Sequence, residues 1–442
     1  MRRLPPAART FAPLAATLLA VSTLATTPAR AATQGATSKL ATPDKFLSVT
    51  GLRGPHPGET TIKWRTSGRY TDYYRITTAL TPFGSRRTPS TGRHSTTFIV
   101  KDGSRRSITL SAAQTAAAGA GLRTGHHLFF RIKAVNKIGA TSTARRYPYL
   151  RHTTIAGQGS TMTGSRLRYA EYNVRVQAAD IAGHPWRRRQ HLVARSIARA
   201  HPAVLGVQEL MPAMWTRKDG GIGLRRALRS TGVGDYELTR TTAYFRRAPQ
   251  DTRILYDATQ VQMTSTCRQT APSCYIKLPD PRQRHVAAYA RFRDRASGQA
   301  FYFVSAHLSA GNDAAHDALR GRQAQAISER IRAINGQNLP VVLATDANSS
   351  QTSNGVDAPH TALIRRGWYN TIAAAQTVGT GYNSVNNFHL PQKPSPYGFG
   401  CMYDTIMTLN MPGADLFKQV ITGAPGPSDH NLVFTDVRLP HP

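Results

Sequence analysis

The chain has 442 residues, 57 Lys and Arg against 23 Asp and Glu, a formal net charge of +34 at pH 7, and only three cysteines. So few cysteines exclude a disulfide framework, and a chain this long must bury an ordinary hydrophobic core. The excess favours polyanions such as nucleic acid, anionic lipid surfaces or acidic polysaccharide. An arginine-rich composition also arises from a GC-rich genome, so charge fixes the partner's sign and not its identity.

The chain opens with Arg2, Arg3 and Arg9, continues as an apolar run to Ala25, and reaches Ala29-Arg30-Ala31, a small-x-small cleavage signal. Residues 1–31 therefore read as a secretory signal peptide, with the arginine pair leaving the twin-arginine route open. Pro13 and several Ser and Thr keep the run short of the ~20 apolar residues that a span needs. The expected mature protein is secreted, extracellular and monomeric, without stable membrane insertion, and its formal charge is still +30.

Residues 43–155 show short β-type runs between turn residues and no helical period, which reads as a small all-β sandwich. Trp64 in Thr61-Ile62-Lys63-Trp64 and the alternation from Phe129 to Asn136 before Gly139 resemble strands of a fibronectin type III module. One departure is Leu128, which stands where that family usually has a tyrosine. The segment holds 19 Lys and Arg against 4 Asp and Glu, a net +15. It serves either to hold a polyanion or as a solvated spacer. Residues 156–166, with Gly157 to Gly164 rich in Ser, Thr and Gly, read as the linker.

From Leu167 strands and helices alternate, as expected of one α/β or α+β domain over residues 167–442. Tyr169–Val174 is the first strand. Trp186–Ala200 is a helix with Leu192, Val193 and Ile197 on one face and arginine on the other, leading into a strand from Ala203 to Gln208. Cys267 and Cys274 bracket a Pro-containing loop and are expected to pair, which leaves Cys401 single. Phe301–Ser305 is a strand, Asn312 and Gly336 cap a long helix, and Val341–Ala344, Met402–Leu409 and Leu432–Val437 are buried strands.

At or near the ends of these strands stand Asn173, Glu209, His307, Asp346, Asn348, Asp404, Asp429 and His430. Carboxylate and amide oxygens are hard ligands that suit Mg²⁺, Mn²⁺ or Ca²⁺. Two histidines among acids can exchange protons near neutral pH. The set points to metal-assisted hydrolysis of a phosphate ester.

Six short motifs occur in order: Tyr172-Asn173-Val174, Val207-Gln208-Glu209-Leu210, Ser305-Ala306-His307-Leu308, Thr345-Asp346-Ala347-Asn348, Tyr403-Asp404-Thr405-Ile406 and Ser428-Asp429-His430. In them residues 167–440 resemble the endonuclease/exonuclease/phosphatase superfamily, which includes pancreatic deoxyribonuclease, apurinic endonucleases, inositol phosphatases and bacterial sphingomyelinases. The resemblance implies an α+β fold of two packed, mostly antiparallel sheets flanked by helices, with the site at one rim. It implies that Asn173 and Glu209 hold the divalent cation, Mg²⁺ or else Mn²⁺ or Ca²⁺, with Asp429 nearby. Asp346 and Asn348 would orient the attacking water and the phosphate. His430 would be the general base, polarised by Asp404, and His307 would donate to a phosphate oxygen or protonate the leaving oxygen.

Three departures stand out. The usual Gly-Asp-Phe-Asn is here Thr345-Asp346-Ala347-Asn348, which keeps both chemical residues. The acid that deoxyribonuclease-like members place upstream to pair with the first histidine has only Asp251 as a loose counterpart. Cys401 lies where pancreatic deoxyribonuclease has a disulfide cysteine, without a second cysteine beside it.

Residues 156–442 carry 33 basic and 19 acidic residues, a net +14. Basic walls around an acidic centre suit extracellular DNA or RNA. The alternative substrates are lipid phosphates, in a sphingomyelinase-like or phosphoinositide-phosphatase reading that calls for an exposed aromatic hairpin. Tyr382 to Gly400 is a loose candidate for that hairpin and reads first as a substrate-side rim. A third reading, a binding protein with a decayed catalytic domain, is opposed by the intact acids and histidines.

Overall fold

The computed structural model describes residues 43–441 apart from 68–69, 80–94, 118–126, 138, 144–151, 180–182, 217–221, 240–251, 266–273, 282–284, 352–356 and 396–398. The expected signal peptide, Asp251 and Cys267 lie outside the described residues. Cys274 is disulfide-bonded and Cys401 is free. No helix among the described residues is long and apolar enough to cross a membrane.

The N-terminal part contains β1 (Phe46–Arg53), β2 (Thr60–Thr66), β3 (Tyr73–Ala79), β4 (Thr96–Val100), β5 (Ser107–Leu110), a short α1 (Ala112–Ala117), β6 (His127–Val135), β7 (Thr141–Thr143) and β8 (His152–Thr154). They form one sheet in the order β1-β2-β5 and a second in the order β4-β3-β6-β7, with β8 on β6. Alternation along β2 and β6 turns Ile62, Trp64, Phe130 and Ile132 inward, where they pack with Tyr74 and Ile76.

The larger part begins with β9 (Arg166–Asn173), α2 (Trp186–Ala200), β10 (Val204–Gln208), α3 (Pro212–Trp215), α4 (Leu224–Arg229), β11 (Tyr236–Leu238), β12 (Arg253–Asp257) and β13 (Val261–Met263). It continues with β14 (Tyr275–Leu278), β15 (His285–Asp294), β16 (Ala300–His307), α5 (Ala314–Ile334), β17 (Val341–Asp346), α6 (Ala358–Ile364), β18 (Tyr369–Asn370), β19 (Gln376–Val378), β20 (Asp404–Leu409), β21 (Leu416–Gln419) and β22 (Val433–Arg438). Two seven-stranded sheets result. One runs β11-β12-β10-β9-β22-β21-β19, the other β13-β15-β16-β17-β20-β18 with β14 on β15. Most pairings are antiparallel; β9 with β10, β16 with β17, and β19 with β21 are parallel.

Three apolar layers hold this part together. Tyr169, Phe292, Phe301, Phe303 and Ile406 fill the space between the sheets. Trp186, Val193 and Ile197 of α2 cover the outside of the first sheet against Leu205 and Val207. Ile327 and Ile331 of α5, with Trp368, cover the second against Leu343 and Met407. Central strands such as β10 and β17 are thus buried on both faces, which is why they read as continuous apolar runs rather than alternating ones. The helix expected from Asn312 starts later. Asp313 is its N-cap, its carboxylate accepting from the His316 amide at 2.8 Å, because a short acceptor there satisfies an otherwise unpaired helix donor.

Residues 157–164 do not hang free. Gln158 N–H donates to the Ala373 carbonyl at 2.9 Å, Ala414 N–H to Gln158 at 3.1 Å, and Gly164 N–H to Leu439 at 2.9 Å. A Cβ added to Gly157 would lie 1.4 Å from the Ala373 oxygen, so the glycine that suggested flexibility serves close backbone approach. The stretch from Tyr382 to Gly400 divides in two: Val385 bridges His430 and Asn386 N–H donates to the Asp429 carbonyl at 2.7 Å, at the site, while its far end is buried. Phe399 is buried between the two parts of the molecule, stacked on His127 at 3.5 Å and edge-on to His152 at 4.1 Å. Gln351 adds two hydrogen bonds to the His127 backbone. Phe388 stacks on His184 at 4.1 Å, and Tyr397 is outside the described residues. Among the described residues the large exposed hydrophobics lie elsewhere, so the described part of this stretch presents no exposed aromatic hairpin.

Candidate active site

Register places the functional side chains before any of them makes a bond. Asn173 ends β9 and aligns with Gln208, the last residue of β10. His307 ends β16 opposite Asp346, which ends β17, and Asp346 faces Asp404 at the start of β20. His307, Asp346 and Asp404 thus form a row across three neighbouring strands. Asp429 and His430 lie in the turn a few residues before β22, and Glu209 immediately follows β10. All eight residues expected from the sequence reach this one rim or the turns that close it.

The two sheets meet through an amide. Asn173 Nδ2 donates to Glu209 Oε1 and to Asp346 Oδ2, each at 3.0 Å. The other Glu209 oxygen accepts from Val176 N–H at 2.8 Å. Asp346 Oδ1 accepts from Asn348 N–H at 3.0 Å, and Asn348 Nδ2 donates to the Leu308 carbonyl at 3.0 Å, which ties the β17 turn to the residue after His307. Glu209, Arg175 and Asn348 hold φ values of 63°, 59° and 46°. For residues with a Cβ these left-handed conformations cost energy, and here all three fall on turns that aim groups into the site.

The histidines are wired differently. His430 Nδ1 lies 3.0 Å from both Asp404 oxygens and 3.9 Å from Asp346 Oδ2. Ser384 Oγ accepts from the Tyr403 and Asp404 amides, fixing the strand that carries this carboxylate. His307 Nε2 is 3.5 Å from Asp346 Oδ2, while its buried Nδ1 has no hydrogen-bond partner. Burial opposes charge on His430, but Asp404, Asp346 and Asp429 outweigh it and push the imidazole up to about 10. For Asp346, burial is likewise outweighed by His307, His430 and the hydrogen bonds from Asn173 and Asn348, so its carboxyl stays below the usual range. Burial, then Asp346, raises Asp404 against the pull of His430.

Several contributors were not foreseen. Glu171 is fully buried, and burial, followed by the Asp404 and Asp346 charges and a side-chain hydrogen bond with Asp404, holds its carboxyl well above the usual range. Strand alternation could have found it, since it stands two residues before Asn173 and shares its face. Arg175 binds Asp429 at 2.8 Å, so that carboxylate, expected among the metal ligands, faces a guanidinium while Glu209 faces Asn173. Ser428 Oγ donates to the Asn173 carbonyl at 2.7 Å and links the last turn to the first strand. Beside His307, His285 bonds Asp280 at 2.7 Å and Ser309 at 3.0 Å; burial, helped by the His307 charge, outweighs Asp280 and lowers its pKa.

The donor set fits a divalent cation. One atom each from Asp346, Asp404 and His430 lie within 4.8 Å of one another, and Asn173 and Glu209 meet Asp346 from the opposite sheet. Hard oxygens dominate, as Mg²⁺ or Mn²⁺ prefers.

No protein-family model matches the sequence, and no curated protein is similar to it. Solved structures are. An endonuclease/exonuclease/phosphatase family protein from Bacteroides thetaiotaomicron superposes with a TM-score of 0.50 at 17% identity, over 62% of this chain and 98% of that one. A second such protein, from Bacteroides vulgatus, gives 0.48 at 20% identity over 62% and 98%. A mannosyl-6-phosphatase of B. thetaiotaomicron gives 0.48 at 17% over 61% and 98%. The two-sheet sandwich described above is the endonuclease/exonuclease/phosphatase fold.

Proposed function

We propose that the protein is a secreted, divalent-metal-dependent phosphodiesterase that hydrolyses extracellular DNA or RNA by in-line attack of water. The observation that carries this reading is the row His307, Asp346, Asp404 across three strands, with His430 seated on Asp404 at hydrogen-bond distance. Export rests on the signal sequence and agrees with a disulfide at Cys274, since such bonds persist in oxidising surroundings.

Glu209 and Asn173, with Asp346 beside them, would hold the cation. When bound, it would neutralise charge on the phosphate oxygens and offset the carboxylates that keep His430 protonated. The chain's own residues do the rest. Asp404 fixes the His430 ring through Nδ1 and leaves Nε2 for the proton of the attacking water. Asn348, held in its turn by Leu308, and Asp346 orient water and phosphate. His307 sits at the other end of the row, where it can donate to a phosphate oxygen or to the leaving oxygen.

Lipid phosphate is the second reading, and the burial of Phe399 removes its main support. We read the N-terminal part as a fibronectin type III-like accessory module. The test is to incubate purified mature protein with plasmid DNA, single-stranded RNA and sphingomyelin liposomes, each with Mg²⁺ and with EDTA. Cleavage of a nucleic acid in Mg²⁺ alone is expected. Hydrolysis of liposomes only would overturn the nuclease reading, and turnover in EDTA would overturn the metal.

A further inference from the structure

One outer face of the catalytic sandwich carries charge that neither the chemistry nor the packing uses. α2 starts at the site: the Arg189 guanidinium donates to the carbonyls of Val174 at 2.7 Å, Arg175 at 3.1 Å and Pro427 at 3.1 Å, next to Asn173 and Asp429. Because β9 and β10 are parallel, α2 must run back along the sheet away from the strand ends. Its 15 residues cover about 22 Å.

The outward side of α2 exposes Arg187, Arg188, His191, Arg195 and Arg199. α4 joins the same apolar layer through Ala227 and Leu228 and exposes Arg225, Arg226 and Arg229. Neither helix contains an Asp or Glu. Among the described residues none of these seven arginine side chains has an ion-pair or hydrogen-bond partner, whereas Arg166, Arg168, Arg175 and Arg438 all meet carboxylates. The two helices border a groove of about 460 Å³, where Arg195, Arg199, His191, Ser230 and Thr231 surround a floor that includes Ala198 and Ala227.

Seven unpaired guanidiniums repel one another, and the α2 row from Arg187 to Arg199, about 18 Å long, is too extended for a single phosphate to neutralise. It matches a repeating anion: successive phosphates on one strand of a duplex lie about 3.4 Å apart along the axis, so the row faces about five of them. Guanidinium forks and hydroxyls are the groups that bind phosphate oxygens without reading bases. We infer that the α2–α4 face is an exosite for the backbone of a nucleic-acid strand whose scissile phosphate lies at the rim, an inference that rests on the nuclease reading above. The strand enters past Arg187 and Arg188 and is held farther out by Arg195, Arg199 and Arg229.

The test compares the mature protein with its Arg195→Gln/Arg199→Gln/Arg229→Gln variant. Binding of a labelled 30-nucleotide strand and a 4-nucleotide strand is followed in EDTA across a salt series, beside hydrolysis of bis(p-nitrophenyl) phosphate in Mg²⁺. The variant should lose about tenfold or more in affinity for the long strand at low salt. Its log-log salt slope should fall by about 2, from three contacts at about 0.7 each. Small-diester turnover and short-strand binding should not change, which also shows that the variant folds. Cleavage of polymer by the wild type with an unchanged slope in the variant would overturn the exosite and leave the nuclease reading standing. Arginine-dependent binding of the long strand without cleavage would overturn the nuclease reading and leave the exosite.

Discussion

His430 and His307 occupy the two ends of one site on unlike supports. His430 stands on Asp404 at 3.0 Å, and Asp404 is steadied by Ser384 from one side and neighboured by the buried carboxyl of Glu171. Among the described residues His307 meets the carboxylate of Asp346, at 3.5 Å, and its Nδ1 has no hydrogen-bond partner. A ring fixed through Nδ1 by a carboxylate has a defined tautomer and raised basicity, which suits proton acceptance. A ring without that anchor suits donation into charge that grows during the reaction. In the proposed reaction the two imidazoles at this rim would take opposite proton roles because their Nδ1 atoms see different neighbours.

The largest expected effect falls on the carboxylate both histidines share. Asp346→Asn should slow hydrolysis of a small phosphodiester by about 1,000-fold, because it removes a cation donor and the charge that both rings face. His430→Ala should cost at least ~100-fold in kcat with KM little changed, and His307→Ala a comparable factor; a loss confined to KM would make either one a binding residue. Asp404→Asn sharpens the contrast. It should cost about tenfold, as outer support of a catalytic group does. It also removes a charge that raises His430 while burial still lowers it, so the acid limb of the kcat profile should move to lower pH. An unmoved limb would separate His430 from Asp404 functionally.

Phe399→Ala probes the part of the molecule behind Ser384. The ring is wedged between His127, His152 and Phe129, so its loss should destabilise the protein by about 3 kcal/mol in a denaturant melt. Small-diester turnover should fall only several-fold, through loosening of the loop that caps Asp404. The smallest effect expected is at His360, buried between Asp357 and Thr405 under β20. Burial opposes its charge, but Asp357 and Asp317 raise its pKa overall. Its stabilising contribution is therefore complete below the ordinary histidine value and lost as pH rises through the raised one. The stability gap between wild type and His360→Gln should narrow over that window, and a gap that widens with pH would contradict the assignment.

The strand ends were legible in the sequence because apolar runs stop at polar residues, and six such stops in order pointed to eight residues that the fold brings to one rim. What was not legible depends on register and on long-range approach. Nothing in Gln208-Glu209-Leu210 announces a φ of 63°, and nothing joins Arg175 to Asp429 across 254 positions except the folded sheet. Glu171 was legible in principle, since period-two alternation places it beside Asn173. Phe399 looked like a rim residue because interspersed Pro, Asn and aromatic residues describe a loop but not what lies over it. The arginine face of α2 was visible as an amphipathic pattern; its continuation on α4 required the packing of two helices more than twenty residues apart.

The central claim is most directly tested by the rate of bis(p-nitrophenyl) phosphate hydrolysis by mature protein, titrated with Mg²⁺ after exhaustive chelation and run beside Asp346→Asn. Activity should appear with the metal, saturate, and be lost by about 1,000-fold in the variant at every metal concentration. Undiminished turnover in excess EDTA, or a variant that matches the wild type, would contradict the claim.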